Sequence, residues 1–241
     1  MNSRIKLGAQ LTAVTLCALA LKYFYSTASP DELRWILAPT TTLVGLLSGR
    51  SFAFESHAGY MSSDNRFLIA ASCAGVNFLL ASFLMLTLRK FWLERSKSSK
   101  WRSIPVSAII AYVFTIIANT SRICIALEMQ DHPLRLDGLN GNQIHRLEGI
   151  VVYFVFLTFL FLLTERMEQG RSSELIKFLF FPLAIYYGTT LGLPFLNGAY
   201  KQGAPFIEHV AFVIAVPLVL VLPVITFGWV RRSLTKKGEA V

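Results

Sequence analysis

Apolar residues along this chain gather into long stretches separated by short polar ones, and none of the long stretches alternates polar with apolar positions. A helix needs about 20 apolar residues to cross the hydrocarbon core of a bilayer. Six stretches approach or reach that length: Ile5–Tyr25, Phe67–Leu88, Ile104–Leu127, Gly149–Leu163 with its flanks, Leu175–Leu193 and Val210–Val230. Lipid offers no hydrogen bonds to the backbone, so spans without period-two alternation are expected to be helices and not barrel strands. The seventh stretch, Trp35–Leu47, is short and holds Pro39 and three consecutive threonines, which predicts a re-entrant or interfacial helix. The expected fold class is all-α, a polytopic transmembrane bundle of about six full spans plus one partial element. Nothing between the stretches is long enough to bury its own core and no repeat is visible, so residues 1–241 are expected to form one integral membrane domain.

Composition agrees with that pattern. The 241 residues are 54% hydrophobic and 15% charged, whereas charged residues make up about a quarter of an ordinary soluble domain. The 23 Lys and Arg exceed the 14 Asp and Glu, but they sit in short segments between spans and form no basic stripe with interleaved aromatics, which excludes nucleic acid as the expected partner. Arg89, Lys90, Arg95, Lys97, Lys100 and Arg102 share one segment, and Arg231, Arg232, Lys236 and Lys237 share the tail. The positive-inside rule puts both on the cytoplasmic side, with Arg166 and Arg171 beside them, and puts Glu128–Ile144 and Pro194–Ile207 outside. Arg4 and Lys6 precede the first apolar stretch without a clean cleavage pattern before Pro30, so a retained first helix is expected. Whether Trp35–Leu47 crosses decides the parity of the N-terminus; if it does not, Ser26–Arg66 lies outside.

That orientation brings Cys73, Arg122 and His145 to one level near the outer ends of three consecutive apolar segments. A cation in hydrocarbon costs about 2.5–3.5 kcal/mol on insertion scales, so Arg122 needs a partner or water. It could snorkel to the interface and pair with Glu128, or it could belong to a site with Asn119, Thr120 and Ser121. Free cysteine is most often a small buried hydrophobe, the reading given to Cys17; Cys73 becomes a nucleophile if a cationic neighbour favours its thiolate. Read as a helix from Phe67, the segment puts Asn77 one turn from Cys73 on the same face. Cys124, two residues past Arg122, falls on another face, and Gly149 shares the helix face of His145 and leaves space for another backbone. His57, His132 and His209 are rivals on the same side that spacing does not exclude. The three cysteines show no zinc spacing, and there is no HExxH, GxSxG or pair of intramembrane aspartates, so no cofactor or metal is expected.

Taken in order, Cys73-Ala74-Gly75, then Asn119-Thr120-Ser121-Arg122, then His145 with Gly149 make a pattern that resembles the exosortase/archaeosortase family of transmembrane cysteine proteases and transpeptidases. The resemblance covers roughly residues 60–165, and the stretch Ser72-Cys73-Ala74-Gly75-Val76-Asn77-Phe78 is similar to the exosortase K branch. It implies Cys73 as nucleophile, His145 as acid and base, and Arg122 as electrostatic stabiliser, with Asn77, Asn119 and Gly149 in support. It also implies a bacterial inner-membrane enzyme whose site faces the periplasm or cell exterior. Its partners would be exported proteins whose C-terminal signal joins a short motif, a hydrophobic helix and a basic cluster, embedded in membrane lipid. Trp35–Arg66, with Phe52, Phe54 and Tyr60, would form an outer cap. Two rival classes remain: a small transporter or channel with Arg122, Glu128 and His145 in a polar pathway, and a non-catalytic scaffold whose polar residues only join helices. Against a transporter stand the near absence of acidic residues within the spans and the lack of a matching broken-helix pair.

Overall fold

The long apolar stretches fold as helices in the computed structural model, which describes residues 3–93, 103–133, 138–169, 175–196 and 198–238. Helix α1 runs Ser3–Thr27, α2 Arg34–Ser48, α3 Val76–Leu93, α4 Ser103–Asp131 and α5 Gly141–Gln169. Helix α6 (Leu175–Tyr187) passes through a π turn at Gly188–Gly192 into the short α7 (Leu193–Leu196), and α8 runs Ala204–Gly238. Among the described residues, four helical segments are long and apolar enough to cross a membrane: Ala71–Phe91, Ser103–Asp131, Gly141–Arg166 and Ala204–Pro223. Leu179–Phe195 is apolar but shorter. Arg89 and Lys90, expected in a cytoplasmic loop, belong to the last turns of α3, and Arg89 is buried. Arg95, Lys97, Lys100, Arg102 and Arg171 lie outside the described residues.

The chain packs as two compact units that divide within α5, Met1–Tyr153 and Phe154–Val241. In the first, α3 and α4 pack along each other, with α1 against α3 and α2 against α4. Helix α4 explains its own placement. Ser107, Ala111, Thr115, Ala118, Asn119, Ile123 and Leu127 recur at helical spacing and are buried, while Val106, Ile109, Val113, Ile117 and Ile125 are exposed. Small and polar residues inside with aliphatic residues outside is the arrangement expected where helices meet through close packing in lipid. Trp35 stacks on Tyr112, whose hydroxyl donates to the Trp35 carbonyl at 2.7 Å, seating α2 on α4. In the second unit Phe154 meets Tyr186 edge to face and the Tyr187 hydroxyl donates to the Ile214 carbonyl at 2.9 Å.

One segment departs from the all-helical expectation. Residues that hydropathy assigns to a loop and to the start of the Phe67–Leu88 span form a three-stranded antiparallel sheet: β1 (Phe52–Glu55), β2 (Gly59–Ser62) and β3 (Leu68–Ile69). Phe52 pairs with Ser62, Glu55 with Gly59, and Tyr60 with Ile69. Gly59 is obligatory here: its φ is +128°, and a Cβ would stand 2.4 Å from the Ile69 carbonyl oxygen. Arg34 lies over the Phe54 ring at 4.2 Å, and Phe54 meets Tyr60 edge to face. Arg50 pairs with Asp131 at the end of α4, and the Gln130 side chain donates to the Arg66 carbonyl at 2.9 Å. This small cap is therefore tied to the same end of α4 that carries Arg122.

Candidate active site

Cys73 does not sit two turns inside a helix, as continuous hydropathy suggested. It closes a single 3-10 turn, Ala71–Cys73, that leads from β3 into α3. The helix cannot extend back through this point because Gly75 has a φ of +70°, a left-handed conformation that breaks the helical run. The same glycine allows close approach, since a Cβ there would lie 3.1 Å from Asn119 Cγ and 3.3 Å from Thr115 Cγ2. Asn119 uses that approach: its amide donates to the Cys73 carbonyl, and its Oδ1 accepts from the Tyr153 hydroxyl at 2.8 Å. A fully buried asparagine thus joins the cysteine turn, α4 and α5, with both ends of its amide satisfied. Asn77 has a different neighbour from the one expected. It is exposed and accepts from Lys22 Nζ of α1 at 2.8 Å.

Helix α5 starts at a capping box. The Gln143 amide N–H donates to Asn140 Oδ1 and the Asn140 N–H donates to Gln143 Oε1, both at 2.9 Å. One turn on, His145 presents Nε2 to Arg122 Nη2 at 3.0 Å. Arg122 does not pair with Glu128, which instead meets His132 Nδ1 at 3.0 Å on the surface. Its guanidinium lies over the Tyr153 ring, 5.6 Å from the centroid, and within electrostatic reach of Cys73. The space that Gly149 leaves is filled by this side chain and not by another backbone: a Cβ at 149 would meet Arg122 Nε at 3.0 Å. Of the rival histidines, His57 is 88% exposed with Nδ1 3.7 Å from Asp31, and His209 belongs to α8.

Glu148 was not singled out from the sequence. It is buried on α5, with Oε2 at 3.4 Å from His145 Nδ1 and 3.9 Å from Arg122 Nε. Glu165, also in the Gly141–Arg166 segment, is buried too, so acidic residues within the spans are less scarce than the hydropathy reading held. The spacing of His145 and Glu148, three residues apart on a helix, was the available signal, because such pairs share a face. Cys17 is exposed on α1 and not buried, and Cys73 and Cys124 are half-buried; all three are free thiols.

The fold and the cluster define a mostly helical membrane protein, by length and composition of its helices, with a polar group of residues gathered at one end of α4 and α5. No family model matches the chain, and no curated protein or solved structure matches it.

Proposed function

We propose that this protein is a membrane-embedded cysteine protease or transpeptidase of the exosortase type, with six crossings and its site at the outer face of a bacterial inner membrane. The observation that carries the reading is the Arg122–His145 contact at 3.0 Å, beside a cysteine turn held by Asn119. Three sequence segments far apart in the chain supply one thiol, one imidazole and one guanidinium. A nucleophile, a proton carrier and a fixed cation are what acyl transfer through a thiol requires.

Cys73 Sγ attacks the carbonyl carbon of the scissile peptide and gives its proton to His145. Arg122 stabilises the negative charge that develops on the carbonyl oxygen. The C–N bond then breaks, His145 returns the proton to the departing amine, and a thioester remains on Cys73. Attack by water completes hydrolysis; attack by an amine or another acceptor completes transfer. The substrate is an exported protein with a C-terminal motif, hydrophobic helix and basic cluster. Such a helix, with its basic end in the cytoplasm, presents its motif at the outer interface. Co-expression with a protein bearing such a tail tests the reading: wild type shortens it on a gel, and Cys73→Ala leaves it full length at matched membrane levels. Unchanged processing by Cys73→Ala overturns the mechanism.

The buried carboxylate of Glu148 favours one other reading, a pathway for protons or an anion through Arg122, Glu148 and His145. A flux across vesicles that survives Cys73→Ala and disappears in Glu148→Gln would select it.

A further inference from the structure

Glu148 has no part in the chemistry just described, yet its environment is the most demanding in the cluster. Its side chain is 5% exposed, whereas His145, three residues earlier, is 54% exposed. Neither carboxylate oxygen receives a hydrogen bond of good geometry, although Arg122 Nε and His145 Nδ1 stand at 3.9 and 3.4 Å. Burying a carboxylate is costly unless charged or hydrogen-bonding partners compensate. Both groups face the same carboxylate oxygen, Oε2.

The protonation of His145 follows from the chemistry of its neighbours. A guanidinium carries only donors, so the contact between Arg122 Nη2 and His145 Nε2 requires an unprotonated Nε2. An imidazolium would set one N–H against another. A neutral ring with its hydrogen on Nδ1 satisfies that contact, and Nδ1 is the atom that faces Glu148. We propose that Glu148 is the positioning residue of this site, accepting from His145 Nδ1–H and holding Arg122 through Nε. This orders the imidazole with Nε2 toward the guanidinium.

The role in catalysis rests on the protease reading and extends it. In the resting site Arg122 covers the nitrogen that must receive the Cys73 proton. When Arg122 Nη2 turns to the oxygen of a bound substrate carbonyl, with Nε still toward Glu148, His145 Nε2 is uncovered and Glu148 keeps the ring in place.

The experiment uses the full chain in lipid nanodiscs with 15N-labelled histidine, and the His145 signals are assigned by their loss in His145→Asn. In wild type His145 carries its hydrogen on Nδ1, with a proton resonance displaced downfield by the facing carboxylate. In Glu148→Gln, which keeps shape and removes charge, that resonance moves upfield. In the tail-processing assay kcat falls on the order of 10²-fold, the low end of what a positioned acid–base group contributes, with KM unchanged. A wild-type His145 protonated on Nε2 overturns the proposal without any variant. An unmoved resonance, or a moved one with unchanged kcat, overturns it as well. If wild type processes no tail, the protease reading fails, and the resonance alone decides whether Glu148 orders His145.

Discussion

Two arginines in the first unit meet carboxylates under opposite conditions. Arg50 pairs with Asp131 and lies 3.9 Å from Asp64, and those aspartates are 44% and 45% exposed. Arg122 lies 3.9 Å from Glu148, with the two side chains 14% and 5% exposed. Around Arg50 water and salt screen the charges, and the contacts mainly orient the cap against the end of α4. Around Arg122 little water competes, so each charge depends on its neighbours, and Gly149, Tyr153 and His145 are shaped to that one side chain. Near-identical chemistry therefore makes a surface tie in one place and a desolvated cluster in the other.

The sharpest break of this comparison is removal of each arginine. Arg122→Ala leaves Glu148 buried without its cation, which costs about 3–5 kcal/mol, and under the proposed function it is expected to abolish tail processing. Arg50→Ala leaves processing within a few-fold of wild type and lowers the thermal midpoint less than Arg122→Ala does. Equal effects in the two variants, read by thermal unfolding and gel shift, would erase the distinction drawn here.

A subtler change tests the fit around Arg122. Gly149→Ala places a methyl 3.0 Å from Arg122 Nε, pushing the guanidinium away from its seat. The guanidinium gives by a few tenths of an ångström, less than the 1 Å misplacement that can cost about 10²-fold in rate. Under the proposed function the expected result is a several-fold loss in kcat for processing, with membrane level unchanged, and wild-type kcat would show that the close approach is dispensable.

The cap has its own break point. Gly59→Ala sets a methyl against the Ile69 carbonyl and strains a φ of +128°, at a cost of about 1–3 kcal/mol. Hydrogen exchange of residues 59–69 is expected to quicken while exchange in α4 stays slow. Uniform quickening across both would mean that the cap and helices open together.

The smallest effect concerns pH. Asp31 is held below its ordinary value of 3.8, first by the His57 backbone N–H and then by the Ser56 hydroxyl. Asp64 is likewise held down, chiefly by the Ser62 hydroxyl and the Arg66 N–H. A carboxylate lowered on folding adds stability that is complete above its unfolded value and lost as pH falls through the folded one. Cap protection is therefore expected to be flat from neutral pH to about 5 and to decline only below about 4. Protection that already declines above pH 5 would mean that neither carboxylate governs the cap.

Much of the helix pattern was legible in the sequence, since lipid demands long apolar runs with internally bonded backbone. Less was legible at the cysteine turn. Hydropathy reads Phe67–Leu88 as continuous because Leu68, Ile69, Ala70 and Ala71 are as apolar as a helix would be. The β2–β3 pairing and the positive φ of Gly75 interrupt it, and both depend on contacts with Gly59, Thr115 and Asn119. Cys73, Arg122 and His145 stood out as polar or reactive groups in apolar surroundings. Glu148 did not, because a glutamate one residue before Gly149 reads as part of a helix end until the partners on α4 are known.

The sequence alone determined a helical membrane class, the positions of most helices and the chemical kinds of side chain that lipid burial makes expensive. Those properties follow from local pattern and from the solvent. Tertiary structure decided that Cys73 lies on a turn, that Asn119 links three segments, that Gly149 makes room for Arg122, and that Glu148 lies 3.9 Å from Arg122 of another helix. Each of these is a meeting of residues distant in the chain or set by the packing of one helix against another, and spacing along a single segment carries no record of it.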